Sequence, residues 1–391
     1  MEAPEDDENF SLIGKRSEAE NSKKNSKKEK KAKSGSEEKV EKTSKRERKK
    51  KLKIMNVLIQ EEHEYFDSKR DMGNAGRMAS RVSFLRQFNN WIKAILIKQY
   101  CRKNYSVLDL CCGKGGDLGK WLLSRIGLYV GADIAHQSVL HAKQRYDQKK
   151  IFPAIFITAD LGHPNQLIHD TLHNQQNIMF NIVSCQMSMH YFFKTEQTLR
   201  TFLKNVTDRL ADGGYFIGSI PDSNVLVRKL RKTRQKQLPG RVNEKEIFTF
   251  GNQFYSVKFA QKRFKSNRPF GIEYYFYLED SVGKEDENGQ ITYVPEYLIL
   301  FDNFVQIAKE YGLEFIMKEN FHSFYANNRE QYRHLFHKIV KDFGSANNDD
   351  QWDISSLYCI FAMRKIGNNS HPLGSCGVTH KGLLLPEEDA W

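Results

Sequence analysis

Residues Val107–Asp117 read VLDLCCGKGGD: a short apolar run, a glycine-rich turn, and an acid where a helix over Leu118–Arg125 is expected to begin. Glycines directly after a first strand let a ligand come close to the backbone. Working outward, LYVGADI (128–134), AIFITAD (154–160), NIVSCQMS (181–188) and GGYFIGSIPD (213–222) read as four more strands. Helical segments at Gln137–Lys149 and 195–210 separate them. Upstream, Val82–Tyr100 places Phe84, Leu85, Phe88, Trp91, Ile92, Ile95 and Leu96 at helical spacing. Nearly continuous apolar strands alternating with helices predict an α/β, Rossmann-like fold: a mostly parallel sheet covered by helices on both faces. After Pro221 the pattern changes. A basic loop or helix (228–245), aromatic strand-like runs (254–277), a polar loop (281–292), a helix over Val294–Tyr311 and a last strand over 357–365 are expected. No internal repeat is present.

The ends differ from the middle. Residues 1–53 repeat Lys, Glu and Ser with almost no large apolar side chains, a composition that cannot offset ordering entropy, so a disordered tail is expected there. The tail after Ile366 (366–391) lacks periodicity. Between them, 54–365 is expected to form the folded domain, with about 223–295 inserted as a substrate lobe. Only +4 of the formal charge of +13 lies in residues 1–50, so the folded part is basic and suits a polyanionic partner such as nucleic acid; a solvated lysine-rich surface is the plain alternative. The six cysteines show no CxxC spacing, no apolar run reaches the length of a membrane span and the acidic N-terminus is no signal peptide, which together suggest a reducing compartment and no membrane. Lysine tracts at Lys23–Lys33 and Lys45–Lys53 resemble nuclear-import signals and suggest the nucleus.

In parallel sheets of this kind ligands bind beyond the carboxyl ends of the strands. Asp117, Asp133 and Asp160 fall there, at three successive strand ends. A carboxylate at position 117 would repel the pyrophosphate of NAD but would hold the ammonium of a methionine moiety, which favours S-adenosylmethionine. Asp133 is placed to accept both ribose hydroxyls, and Asp160 to meet an adenine amino group. Each acid alone would read as a helix cap or turn residue. CQMSMHY (185–191) follows the fourth strand and brings Gln186, His190 and Tyr191 to the same edge.

The segments FLRQFNNWIKAILI (84–97), VLDLCCGKGGDLGKW (107–121), ADIA (132–135), FITAD (156–160), SCQMSMHYFF (184–193), GGYFIGSIPDSN (213–224), GNQFYSVKF (251–259), FGIEYYFYLED (270–280), VPEYLI (294–299) and SLYCIFAMRK (356–365) occur in that order. Together they resemble the eukaryotic mRNA cap guanine-N7 methyltransferases, class I S-adenosylmethionine-dependent enzymes, over about residues 60–365. The resemblance implies cofactor contacts at Lys93, Cys111, Asp117, Asp133, Asp160, Gln186 and Tyr191. It implies cap-guanosine contacts at Asn89 and Asn90, a guanine pocket lined by His190, Glu296 and Tyr358, and cap-phosphate contacts at Lys114, Lys120 and Arg145. Physics agrees in kind: a carboxylate at 296 can accept the N1–H and N2–H2 donors of guanine, and a triphosphate calls for converging cations. Read alone, Glu296 is a helix-start acid beside Pro295, and the three cations are surface charges. Two departures stand out: Cys111 occupies a usual glycine, where backbone contact requires a negative φ, and Met187 occupies a usual aromatic position.

The implied reaction moves a methyl group from S-adenosylmethionine to N7 of the 5′ guanosine cap of RNA, with other capping enzymes or the transcription machinery as partners. Guanine N7 carries a free lone pair, so no acid, base or metal is assigned; His190, Tyr191 and Glu296 position and balance charge. The competing readings are a class I methyltransferase for another RNA or a small molecule, a non-catalytic RNA-binding homologue and, more distantly, an NAD enzyme.

Overall fold

The computed structural model describes residues 80–149, 152–172, 178–237, 248–259, 269–341 and 348–367, preceded by residues 65–67, 73, 76 and 79. All but Tyr65 belong to the unit Phe66–Trp391. The tail expected over 1–53, nearly all of 366–391, and 238–247 of the basic segment lie outside the described residues.

The elements run α1 (Ser83–Tyr100), β1 (Ser106–Leu110), α2 (Leu118–Leu123), β2 (Leu128–Asp133), α3 (His136–Asp147), β3 (Ala154–Thr158), α4 (Ile168–Thr171), β4 (Phe180–Gln186), a 3-10 turn (Met189–Lys194), α5 (Glu196–Thr207), β5 (Leu210–Pro221) and α6 (Ser223–Gln237). They continue with β6 (Phe248–Gly251), β7 (Tyr255–Phe259), β8 (Glu273–Leu278), β9 (Lys284–Glu285), β10 (Ile291–Thr292), β11 (Val294–Tyr297), α7 (Phe301–Glu310), β12 (Leu313–Asn320), α8 (Phe321–Asn328), α9 (Arg333–Ile339), α10 (Asp349–Ser355) and β13 (Tyr358–Lys365). Seven strands form one sheet in the order β12-β13-β5-β4-β1-β2-β3. Strands β3, β2, β1, β4 and β5 run parallel to one another, β13 pairs antiparallel with β5, and β12 pairs antiparallel with β13. The expected Rossmann-like α/β fold is what forms.

Both faces of the sheet are buried, and the strand period shows why. Val107, Tyr129, Ile182, Ile217 and Ile360 enter one core, while their immediate successors Leu108, Val130, Val183 and Phe361, with Phe216, enter the other. The first core takes the apolar stripe of α1, whose Phe88 and Trp91 pack edge-on against Tyr325 of α8, with Trp352 of α10 and Phe336 of α9 beside them. The second takes α5 and α7. Helix α5 starts where Thr195 and Thr198 close a reciprocal capping box, Oγ of each accepting the other's backbone N–H at 3.1 and 3.2 Å.

The chain reaches β3, returns across the sheet and enters β4 on the other side of β1. The order therefore reverses between β1 and β4, which opens a crevice at their carboxyl ends. A separate four-stranded sheet, β11-β8-β7-β6, follows α6. It corrects the helix expected over Val294–Tyr311: residues 294–297 are strand β11, and the helix starts only at Phe301. The reason is long-range. Val294–Tyr297 pairs antiparallel with Glu273–Phe276, and this ladder overrides the local apolar spacing. The basic segment resolves as helix α6 up to Gln237.

Candidate functional site

Four carboxylates organise the crevice. Asp133 ends β2 and is pinned from both sides: Oδ2 accepts the Gly113 N–H at 2.8 Å and Oδ1 the Ala135 N–H at 2.9 Å. Burial pushes its carboxyl up, against those backbone donors. Each oxygen accepts a backbone N–H and still has acceptor capacity, which a vicinal diol can use.

Asp117 precedes α2 and is buried. Lys93 of α1 reaches both of its oxygens, at 2.8 and 2.9 Å, and Lys120 reaches Oδ1 at 2.7 Å. Burial alone would raise this carboxyl, but the two ammonium groups outweigh it and hold it well below the ordinary carboxylate range. The trio carries a surplus positive charge, which suits a ligand end bearing a carboxylate beside an ammonium. Lys120 also donates to Asn90 Oδ1 at 2.9 Å, and burial lowers its own pKa. Its ammonium is thus engaged by Asp117 and Asn90.

Asp109, one turn of the β-pleat from the glycine loop, received no role from the sequence. It is buried on the α1 side of β1 and accepts hydrogen bonds from Trp121 Nε1 at 3.3 Å and the Tyr129 hydroxyl at 3.1 Å. Burial, with Asp117 nearby, raises it to about 7 in spite of those bonds. The neutral folded form binds a proton that the unfolded chain has already lost above its ordinary value near 3.9. Stability from this group is therefore fully present below about pH 4 and is lost as pH rises to about 7. Asp109→Asn removes that slope: in chemical denaturation the variant gains on the parent between those pH values and runs parallel above them. An unchanged pH dependence would contradict the assignment.

Asp160 lies two residues past β3, and its Oδ1 closes a turn on the Gly162 N–H at 2.9 Å. The structure thus uses it as a turn residue at the crevice edge. Gln186 is turned into the sheet, its Oε1 accepting from the Ser219 hydroxyl at 2.8 Å and its Nε2 donating to Ser184 Oγ at 3.2 Å. Both of its amide ends are thus occupied.

The two residues that depart from the family pattern share one backbone feature. Cys111 follows β1 with φ +57°, and Met187 follows β4 with φ +62°. Both sit just after a strand in the left-handed region, where a side chain is costly and where strain collects at ligand sites. The negative φ required of Cys111 is therefore not what forms. Its thiol sits against Cys185, and that contact together with burial holds it well above the usual thiol range. Cys111→Gly should stabilise the fold by about 0.5–1 kcal/mol and Cys111→Val destabilise it by about 2 kcal/mol, read by calorimetry; the reverse order would contradict the strain. Gly113, also left-handed at +52°, and Gly116 have open space where a Cβ would stand, leaving the loop accessible to a ligand.

The second half of the site comes from the 3-10 turn, β11 and β13. Glu296 is only 3 % exposed. Its cross-strand neighbour Tyr274 donates its hydroxyl to Oε2 at 2.5 Å, and His190 Nε2 stands 3.4 Å from Oε1. Burial and the Glu296 charge push both the Tyr274 and Tyr358 hydroxyls up, which keeps them protonated donors. The His190 and Tyr191 rings lie 4.2 Å apart, and Phe66 meets Tyr191 edge-on at 5.5 Å. Among the described residues, neither ring nitrogen of His190 nor Oδ1 of Asn89, all buried, has a hydrogen-bond partner. Such orphans are rare in native interiors, and these three atoms stand beside Glu296 and α1 with bonding capacity to spare. Lys114 and Arg145 meet at the loop, Arg145 Nη1 donating to the Lys114 carbonyl at 2.8 Å, and Arg145 lines a cavity of about 500 Å3 with His141 and Gly115.

The sequence placed Asp109 near the strand ends without a role and gave Tyr274 none. Alternation in EYYFYL identifies Tyr274 as inward-facing, but only the pairing with β11 sets it opposite Glu296. Among the described residues no group of His, Cys, Asp or Glu is arranged to hold a metal, and no helix is long and apolar enough to cross a membrane.

A doubly wound sheet with a glycine loop after β1, an acid pinned at the tip of β2 and a crevice at the β1/β4 reversal defines a class I methyltransferase. Residues 45–366 match the model of the mRNA (guanine-N(7))-methyltransferase domain. The chain is 37% identical over 314 residues to the mRNA cap guanine-N(7) methyltransferase 1 of Arabidopsis thaliana, covering 75% of this chain and 78% of that one. It is 33% identical over 345 residues to the enzyme of the same name from Oryza sativa, covering 83% and 86%. With the Schizosaccharomyces pombe mRNA cap guanine-N(7) methyltransferase the identity is 37% over 314 residues, covering 78% and 81%. The chain belongs to the mRNA cap guanine-N7 methyltransferase family, whose methyl donor is S-adenosylmethionine.

Proposed function

We propose that this chain methylates N7 of the 5′ guanosine cap of RNA with the residues just described, and that Glu296 selects the guanine. The observation that carries the reading is the state of that carboxylate. A charge so buried is costly unless its acceptor sites are filled, and the chain supplies one firm donor, Tyr274. The N1–H and N2–H2 groups of guanine fill the remainder, with the orphaned His190 nitrogens and Asn89 Oδ1 meeting the rest of the nucleoside. Tyr358 walls the pocket, Asn90 supports it through Lys120, and Lys114 and Arg145 take the bridging phosphates.

On the donor side, Asp133 takes the ribose hydroxyls, Lys93 and Asp117 the methionine end, and the loop at Cys111 and Gly113 the approach to the backbone. Asp160 and Gln186 shape the adenine end, and Tyr191 stands between the two halves. Bound S-adenosylmethionine supplies an electrophilic methyl on a sulfonium centre. The chain's own task is to fix the acceptor in line with that methyl, an effect worth up to about 7–11 kcal/mol. Glu296 adds to this by balancing the positive charge the guanine gains. No side chain has to remove a proton.

The domain spans 54–365 in this reading, with 223–295 as the cap lobe between flanking tails. The enzyme acts in the nucleus on 5′-capped RNA, alongside other capping enzymes or the transcription machinery. The lysine tracts and the basic body support that setting. The test is methyl transfer from a labelled donor to guanosine-capped and to uncapped RNA, followed by identification of the methylated atom. Label on N7 of the cap alone is expected. Label elsewhere, or equal labelling of uncapped RNA, overturns the reading.

A further inference from the structure

We infer that the exposed face of α6 is a second binding site, for the phosphodiester backbone of single-stranded RNA, and that it holds the chain leading away from the cap. The inference rests on the reading of the Glu296 pocket as the guanine site.

Helix α6 contains no Asp or Glu in its fifteen residues. Leu226 and Leu230 bury one side, and Lys229 is spent on Asp353 at 2.5 Å. The opposite side presents Asn224, Arg228, Arg231, Lys232 and Gln235, all exposed and spaced i, i+4, i+7, i+8, i+11, so they form one stripe about 17 Å long. None of the three cations pairs with a carboxylate among the described residues. Like charges at this spacing repel one another, and a row of phosphates relieves that repulsion.

The stripe begins at the guanine pocket. Ser223 Oγ accepts the N–H of Ile299, three residues after Glu296, at 2.8 Å, and Pro221 pairs with Tyr358. The Asp222 N–H is bonded to the Leu357 carbonyl, which fixes the helix start beside that strand. A polyanion tethered by its first base in this pocket therefore meets the cations directly. A lipid surface fits poorly, since the apolar side of α6 is already packed inside the protein.

The test compares the full chain with Arg228→Gln/Arg231→Gln/Lys232→Gln, titrating a capped and an uncapped RNA of about 20 nucleotides across salt concentrations, with the cap dinucleotide as a methylation substrate. The variant should methylate the dinucleotide like the parent, which shows that it folds. Its log–log salt slope for both RNAs should be shallower by about 2, so that the parent's affinity falls about tenfold to twentyfold further over a fourfold rise in salt. The charge-keeping variant Arg228→Lys/Arg231→Lys/Lys232→Arg should restore the slope. An unchanged slope and affinity in the Gln variant overturns the proposal, as does loss of affinity for an acidic protein but not for RNA. A parent that binds RNA but never methylates the dinucleotide would sink the guanine-pocket reading instead, while the slope still decides α6.

Discussion

Glu296→Ala lowers kcat/KM for capped RNA by about 10^2–10^4-fold while the protein still folds and still binds S-adenosylhomocysteine. The size follows from two charge-assisted hydrogen bonds to the guanine edge, each worth about 1.5–3 kcal/mol. The fold survives because β11 is held by its backbone ladder to β8, and the lost carboxylate was itself a burial cost. Glu296→Gln separates shape from charge. It can still accept from the Tyr274 hydroxyl, but it turns an amide N–H2 toward a donor edge, so most of the loss remains. The loss should be shared between kcat and KM, because the carboxylate both binds guanine and balances the charge it gains. Melting temperature and S-adenosylhomocysteine affinity are the controls. Glu296→Ala with full activity would remove the guanine pocket from the account.

Asp133→Ala weakens S-adenosylmethionine binding by about 10^2–10^3-fold, from the loss of two hydroxyl–carboxylate bonds. Unlike Glu296, Asp133 also satisfies two backbone N–H groups, on Gly113 and Ala135. Truncation strands them and should cost about 1–3 kcal/mol of stability in addition. Ligand linkage separates the two effects. Saturating S-adenosylhomocysteine raises the melting temperature of the parent in proportion to the logarithm of concentration over Kd, and this rise should nearly vanish in the variant. Asp133→Asn keeps one acceptor and should fall between them. An Asp133→Ala protein stabilised by the ligand as strongly as the parent would place the ribose elsewhere.

The parallel sheet was legible because every strand from β1 to β5 is a short apolar run bounded by turn residues, and both of its faces are buried. Strand tips follow from strand ends, so Asp133 was placed at the tip of β2, while Asp160 lies two residues past β3 and Asp117 immediately before α2. How their side chains are held was not legible. Lys120 reads as a surface cation until α1 brings Lys93 and Asn90 beside it. That β5 would hold the Gln186 amide through Ser219, thirty-three residues away, is invisible in any local window. The segment at 294–297 was misread for the same reason, its partner strand lying outside any local window. Strand β12 and helices α8–α10 went unread because they are short and half-exposed, leaving weak periodicity. The strained backbone at Cys111 and Met187 shows only in the dihedrals, although both positions announced themselves as departures from the family pattern.

The central claim is that the Asp133 crevice and the Glu296 pocket are one site that presents guanine N7 to the methyl donor. A crystal structure of the protein with S-adenosylhomocysteine and a guanosine cap analogue tests it directly. Expected are ribose hydroxyls on Asp133, the N1–H and N2–H2 edge on Glu296, and N7 facing the sulfur with room for one methyl group between them. A cap analogue bound away from Glu296, or bound there with N7 turned from the sulfur, would contradict it.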